Sequence, residues 1–79
     1  MRVHLRFFAV LREQAGARAE RTVPAGTTVG ALWRELVAER PALGAVKVRF
    51  AVNQTYVEPG HRLADGDEVA VFPPVSGGR

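Results

Sequence analysis

The chain has 79 residues, no cysteine and a formal net charge of +3. That length predicts one domain near the lower limit of what a single hydrophobic core stabilises, and the lack of cysteine excludes disulfides, thiolate metal sites and a cysteine nucleophile. No apolar run is long enough to cross a bilayer and no secretory h-region follows Met1, so a soluble cytoplasmic protein is expected.

Val3, Leu5, Phe7 and Ala9 alternate with His4, Arg6, Phe8 and Val10, which predicts a first strand with one apolar face. Leu11 to Ala15 can add a short helical turn closed by Gly16. Arg18 to Val23 alternates weakly up to Pro24-Ala25-Gly26 and reads as a second strand, hairpinned to the first. Thr27 or Thr28 is a ready N-cap. Beyond it Val29, Leu32, Trp33, Leu36 and Val37 follow the spacing of one buried helical face, closed by Arg40 and stopped by Pro41. A third strand is expected over Lys47 to Val52, with Val48, Phe50 and Val52 on one side. Asn53-Gln54 turns the chain into a short strand at Thr55-Tyr56-Val57. Pro59-Gly60 and Asp65-Gly66-Asp67 mark two further turns before a last strand, Glu68 to Phe72. The order β-β-α-β-β-β predicts an α+β, ubiquitin-like β-grasp roll: a mixed sheet of four to five strands crossed by one main helix.

The charge offers little to nucleic acid. The basic residues run from Arg2 to Arg79 without a cluster, all arginine except Lys47, and several stand beside acids, as Arg12 does beside Glu13. A stacking platform needs aromatics interleaved with basic residues. His4-Leu5-Arg6-Phe7-Phe8 comes nearest and reads more simply as a core strand. His4 and His61 have no metal-ligand spacing and read as surface residues. Asp65, Asp67 and Glu68 read as turn acids hydrogen-bonded to backbone rather than as a cation loop. Neither a P-loop nor a nucleophile elbow is present.

The ending Phe72-Pro73-Pro74-Val75-Ser76-Gly77-Gly78-Arg79 is unusual. Prolines stop a sheet ladder and hold the chain extended, whereas glycines enter narrow slots without steric cost. The stretch suits a stiff stem and a thin, flexible tip that feeds a carboxylate into another protein. Small polar residues also make an ordinary frayed end. On this reading residues 1–73 form the β-grasp domain and 74–79 an extended tail.

Three stretches narrow the choice. Phe7-Phe8-Ala9 with Leu11-Arg12-Glu13, Ala51-Val52-Asn53-Gln54-Thr55, and Leu63-Ala64-Asp65-Gly66-Asp67-Glu68-Val69-Ala70 followed by Phe72-Pro73-Pro74-Val75-Ser76-Gly77-Gly78 resemble the small, sulfur-carrier subunit of molybdopterin synthase, in order and over the whole length. The resemblance implies a protein that is no enzyme on its own and binds no cofactor. A ubiquitin-activating-type adenylyltransferase would use ATP to adenylate the Gly78 carboxylate, and a sulfur donor system would convert it to a thiocarboxylate. The tail would then enter the large synthase subunit and give sulfur to cyclic pyranopterin monophosphate. From Pro73 to Gly78 an extended chain spans about 20 Å at roughly 3.3–3.6 Å per residue, long enough to reach a buried pocket. In the family the diglycine is usually terminal, so Gly77 and Gly78 are expected to act after loss of Arg79. A ubiquitin-like modifier, a carrier for thiamine or transfer-RNA thiolation, and a plain β-grasp interaction module are the alternatives.

A docking face can be derived from alternation alone. With Val3, Leu5 and Phe7 turned to the helix, Phe8 faces away from it, as does Phe72 when Val69 and Val71 point inward. Tyr56, alternating with Val57, can join them. Aromatic residues beside an apolar Pro73-Pro74-Val75 stem are typical interface anchors, although neighbouring arginine stems can cover them. Phe8, Tyr56, Phe72, Pro73, Pro74 and Val75 are therefore the expected contacts to the large subunit and to the activating enzyme, with no role for nucleic acid or membrane.

Overall fold

A computed structural model describes residues 1–74. Its strands are β1 (Arg2–Phe7), β2 (Arg18–Thr22), β3 (Arg49–Val52), β4 (Thr55–Val57) and β5 (Glu68–Phe72). They form one five-stranded sheet in the order β2-β1-β5-β3-β4. The last strand is thus the central one. It runs parallel to β1, with Leu5 opposite Val69 and Phe7 opposite Val71, and antiparallel to β3, with Phe50 opposite Val71. The hairpins β1–β2 and β3–β4 flank it. This mixed sheet with one principal helix is the β-grasp roll that the alternation predicts.

That helix, α2 (Val29–Glu39), begins where the first-turn N–H groups find acceptors. The Thr28 hydroxyl accepts from the Ala31 amide at 3.1 Å. The Val29 and Gly30 amides donate to the carbonyls of His61 (3.0 Å) and Pro59 (2.8 Å). Gly30 permits this approach, because a Cβ there would lie 3.1 Å from the Pro59 carbonyl oxygen and 3.0 Å from its Cβ. Val29, Leu32 and Leu36 are buried with Val3, Leu5, Phe7, Val69 and Val71 in one core. Trp33 is partly buried and meets Phe50 edge-on, with centroids 6.0 Å apart.

Three local features differ from the sequence reading. Ala9 does not extend β1: at φ 55° it turns the chain into α1 (Val10–Ala15) and is exposed. The third strand starts at Arg49 rather than Lys47. Pro41 does end α2, but residues Pro41–Ala45 form a 3-10 turn that buries Leu43 completely. Among the described residues no helix is long and apolar enough to cross a membrane.

The edge strand β2 is tied to α2 through charge. Arg21 lies on the inner side of β2, opposite Val3, and its guanidinium donates to both carboxylate oxygens of Glu39, one at 2.6 Å. These hydrogen bonds hold the Glu39 carboxyl below its ordinary value and raise Arg21. A lowered carboxyl favours the folded state at neutral pH, and the contribution fades as pH falls through the folded-state value. Glu39→Gln is therefore expected to lower the urea midpoint at pH 7, by the modest amount of an exposed pair. The gap between its midpoint and that of the parent protein should narrow as pH falls through the carboxylate range. A difference that persists undiminished in acid would deny the pair this role.

Candidate functional site

The sheet has two unlike faces. Along β1, β5 and β3 the inward residues are apolar and buried. Register fixes which residues share the outer face. One cross-strand row runs Arg18, Arg6, Ala70, Ala51 and Tyr56. A neighbouring row holds Phe72 and Arg49, which are paired across β5 and β3. Phe8 sits just past β1, its amide donating to the Val71 carbonyl at 3.2 Å. The alanines keep the middle of this face low, and larger side chains stand around them.

The three aromatic residues expected to converge do converge. Phe8 and Phe72 meet edge to face, 6.5 Å between centroids, and Tyr56 leans on Phe72 at 5.6 Å. Phe8 remains 36% exposed and Tyr56 69%, while Phe72 is partly buried between them. Arginine covers part of one ring: the Arg6 guanidinium carbon lies 5.2 Å from the Phe8 centroid, a contact worth roughly 0.5–1 kcal/mol at an exposed site. The cluster thus stays open to solvent beside a stem that begins with Pro73, partly buried, and Pro74, exposed. Val75, Gly77, Gly78 and Arg79 lie outside the described residues.

Alternation alone does not reveal what fixes the start of β5. Two segments far apart in sequence, the Asn53-Gln54 turn and the start of β5, are tied together. Asn53 (φ 50°) and Gln54 (φ 71°) form the β3–β4 turn, a left-handed geometry that asparagine tolerates. The Asn53 side chain donates to Asp67 Oδ1 at 2.9 Å and accepts from the Glu68 amide at 3.0 Å. Its own amide donates to the Glu68 carbonyl at 2.8 Å. Asp67 also accepts from the Ala64 amide at 2.7 Å, and Asp65 from the Arg2 amide at 2.7 Å. The acids of the Asp65-Gly66-Asp67 turn are therefore backbone acceptors that fix where β5 begins. His4 stands on the outer face of β1, its Nδ1 3.4 Å from Glu20, while His61 lies in an exposed turn.

A mixed sheet with its final strand at the centre, crossed by one main helix and leading directly into a Pro-Pro stem, defines a ubiquitin-like β-grasp protein. The chain belongs to the ThiS family, whose model matches residues 5–78. The molybdopterin synthase sulfur carrier subunit of Escherichia coli (strain K12) is 46% identical over 76 residues, spanning 91% of this chain and 94% of that protein. The crystal structure of Haloferax volcanii small archaeal modifier protein 1 matches with a TM-score of 0.82 at 32% identity, covering 94% of this chain and 98% of that one. A protein–protein complex of subunits 1 and 2 of the molybdopterin-converting factor from Helicobacter pylori 26695 contains a chain with TM-score 0.69 and 26% identity, covering 99% and 100%. The resemblance to molybdopterin synthase sulfur carriers drawn from the sequence is borne out.

The latch between Asn53 and Asp67 can be tested directly. Asn53→Ala removes two side-chain hydrogen bonds and leaves a side chain without compensation at positive φ, so it is expected to cost roughly 1–3 kcal/mol. Asn53→Gly, which accepts the turn but not the latch, should recover part of that loss. Urea denaturation of the three proteins measures both steps; equal stability for all would show that the latch is idle.

Proposed function

We propose that this chain is the sulfur carrier of a molybdopterin synthase, with Gly78 as the group that carries sulfur. The observation that carries this reading is continuity. The family match runs to Gly78 and stops there, and the stem leading to it leaves the central strand beside an exposed aromatic cluster.

The chemistry is consistent with a chain that supplies reach rather than acid–base groups. The reacting acyl carbon belongs to Gly78, so water must first cleave the Gly78–Arg79 peptide bond and release arginine. The freed carboxylate is a poor electrophile because its charge is delocalised. Attack of a carboxylate oxygen on the α-phosphorus of ATP expels pyrophosphate and leaves an acyl-adenylate, in which AMP is a good leaving group. Sulfide-level sulfur from the donor system then attacks the acyl carbon and expels AMP, and the product is a thiocarboxylate. In the large subunit that sulfur would bond to a carbon of the pterin precursor and displace an oxygen substituent. Water would then cleave the acyl–sulfur bond, leaving sulfur on the pterin and returning the Gly78 carboxylate. Gly77 leaves the approach free of side chains. The activating enzyme and the large subunit supply catalysis; the carrier fixes position and reach.

Docking is assigned to Phe8, Tyr56 and Phe72, with Pro73, Pro74 and Val75 guiding the tail. The Helicobacter pylori complex of subunits 1 and 2 supports a large subunit as partner. A second reading, a ubiquitin-like protein modifier, is favoured by the similarity to Haloferax volcanii small archaeal modifier protein 1. The two readings share the activation step and differ in the acceptor, so lysine conjugates recovered from cells would identify the second.

Two experiments test the reading. Protein recovered from its native cell should give an intact mass that lacks arginine and carries sulfur in place of one oxygen. A chain ending at Gly78 should gain that sulfur on incubation with ATP, the cognate activating enzyme and a sulfur donor. A chain that always keeps Arg79 and never gains sulfur refutes the proposal. Phe72→Ala should weaken binding to the large subunit by roughly ten- to hundredfold, the size of an interface anchor. Because Phe72 sits on the outer face, its unfolding midpoint should stay close to that of the parent; unchanged affinity would remove the docking assignment.

A further inference from the structure

The outer face is not uniformly charged. At the end far from the aromatic rings, Glu20 pairs with Arg2 at 3.2 Å and with His4 at 3.4 Å, and Glu68 stands across from His4. The aromatic end has no such balance. Arg6 and Arg18 sit directly opposite each other on β1 and β2, an arrangement of like charges that weakens a sheet pair. Arg49 lies opposite Phe72. Among the described residues none of these three arginines forms an ion pair. Glu58, just beyond β4, continues the register opposite Arg49 yet makes no pair with it.

We infer that this end of the sheet docks on a protein surface that is apolar at its centre and lined with Asp and Glu carboxylates at its rim, where Arg6, Arg18 and Arg49 find their missing counter-charges. The inference rests on the docking face proposed above and assigns its electrostatics. Rings surrounded by cations complement such a surface: Phe8, Tyr56 and Phe72 supply the centre, the arginines the edge. The Arg6 guanidinium, already stacked on Phe8, keeps outward donors for a carboxylate, since its planar fork can stack and hydrogen-bond at once. Single-stranded nucleic acid fits less well. Successive stacked bases need several free ring faces, whereas Arg6 already covers Phe8 and Phe72 is partly buried between its neighbours.

The rim charges act mainly on the association rate, and their effect is screened by salt. The test measures association of the purified chain with the cognate large synthase subunit, for the parent protein and for an Arg18→Gln, Arg49→Gln double variant. Both substituted residues are exposed on the outer face, and matching unfolding midpoints would verify that the fold is retained. The parent's association rate should fall as salt rises from about 20 mM to about 500 mM. The variant should associate roughly tenfold more slowly at low salt, with a flatter salt dependence, and the two should converge at high salt. Parent binding with a rate indifferent to salt, or a variant with the parent's slope, overturns the inference and leaves the docking face standing. No binding by the parent at any salt defeats both. Tighter binding to a single-stranded RNA oligonucleotide than to the large subunit, lost in the variant, would reassign the arginines to nucleic acid.

Discussion

The structure depends on β5 being held from both sides. A strand at the centre of a sheet has its N–H and C=O groups engaged in two ladders and cannot shift register without breaking both. Here the two ladders are of opposite sense, parallel to β1 and antiparallel to β3, so a slip towards either neighbour turns Val69 and Val71 out of the core. The Asn53–Asp67 latch and the Glu68 amide fix the same strand at its start. The Pro73-Pro74 stem therefore leaves the end of a strand that is paired on both sides. Its two prolines prolong that constraint, because each fixes φ and withholds an N–H from the ladder.

The same pairing sorts the sheet into a buried face and an outer face. Val3, Leu5, Phe7, Val69 and Val71 are committed to the core under α2, which leaves the intervening residues free to serve other ends. Ala51 and Ala70 keep the outer surface shallow, while Phe8, Tyr56 and Phe72 rise from it in mutual contact. Rings that brace one another lose less side-chain freedom on binding than rings that move independently. The exposed cluster is in this sense partly pre-organised.

Much of this is legible in the sequence, and the remainder is hidden for physical reasons. Period-two alternation marks β1 and β5 and puts Phe8 and Phe72 on the outer side; the 3.6-residue period marks α2. Pro41 correctly signals the end of a helix, yet a proline also starts a 3-10 turn well, and nothing local distinguishes a Leu43 that is buried by tertiary packing. Ala9 misleads because apolar alternation runs past the end of β1, and a left-handed alanine has no sequence signal. The two hairpins are legible from their turns, but the place of β5 between β1 and β3 and the register are out of reach of local pattern, since they depend on contacts distant in sequence. With them go the facing arginines Arg6 and Arg18 and the latch between Asn53 and Asp67. The resemblance motifs thus mix two kinds of residue. Asn53, Asp65 and Asp67 hold the fold, whereas the Phe72-Pro73-Pro74 stretch is assigned to the proposed docking face and stem.

A carrier on the proposed route must engage at least two proteins in turn, one that charges its terminus and one that receives the sulfur. Very tight docking would defeat it, because residence time grows as dissociation slows. A broad apolar face would give such docking and would also invite aggregation of a chain this small. A compact aromatic patch with a cationic edge avoids both outcomes. On this proposal the rings would provide a few anchors, while the charges would raise the encounter rate without slowing release in proportion. Arginine suits the edge better than lysine, since it covers an aromatic ring while free and still presents donors to a partner. Three arginines that look scattered along the sequence, Arg6, Arg18 and Arg49, gather on the outer face of the sheet.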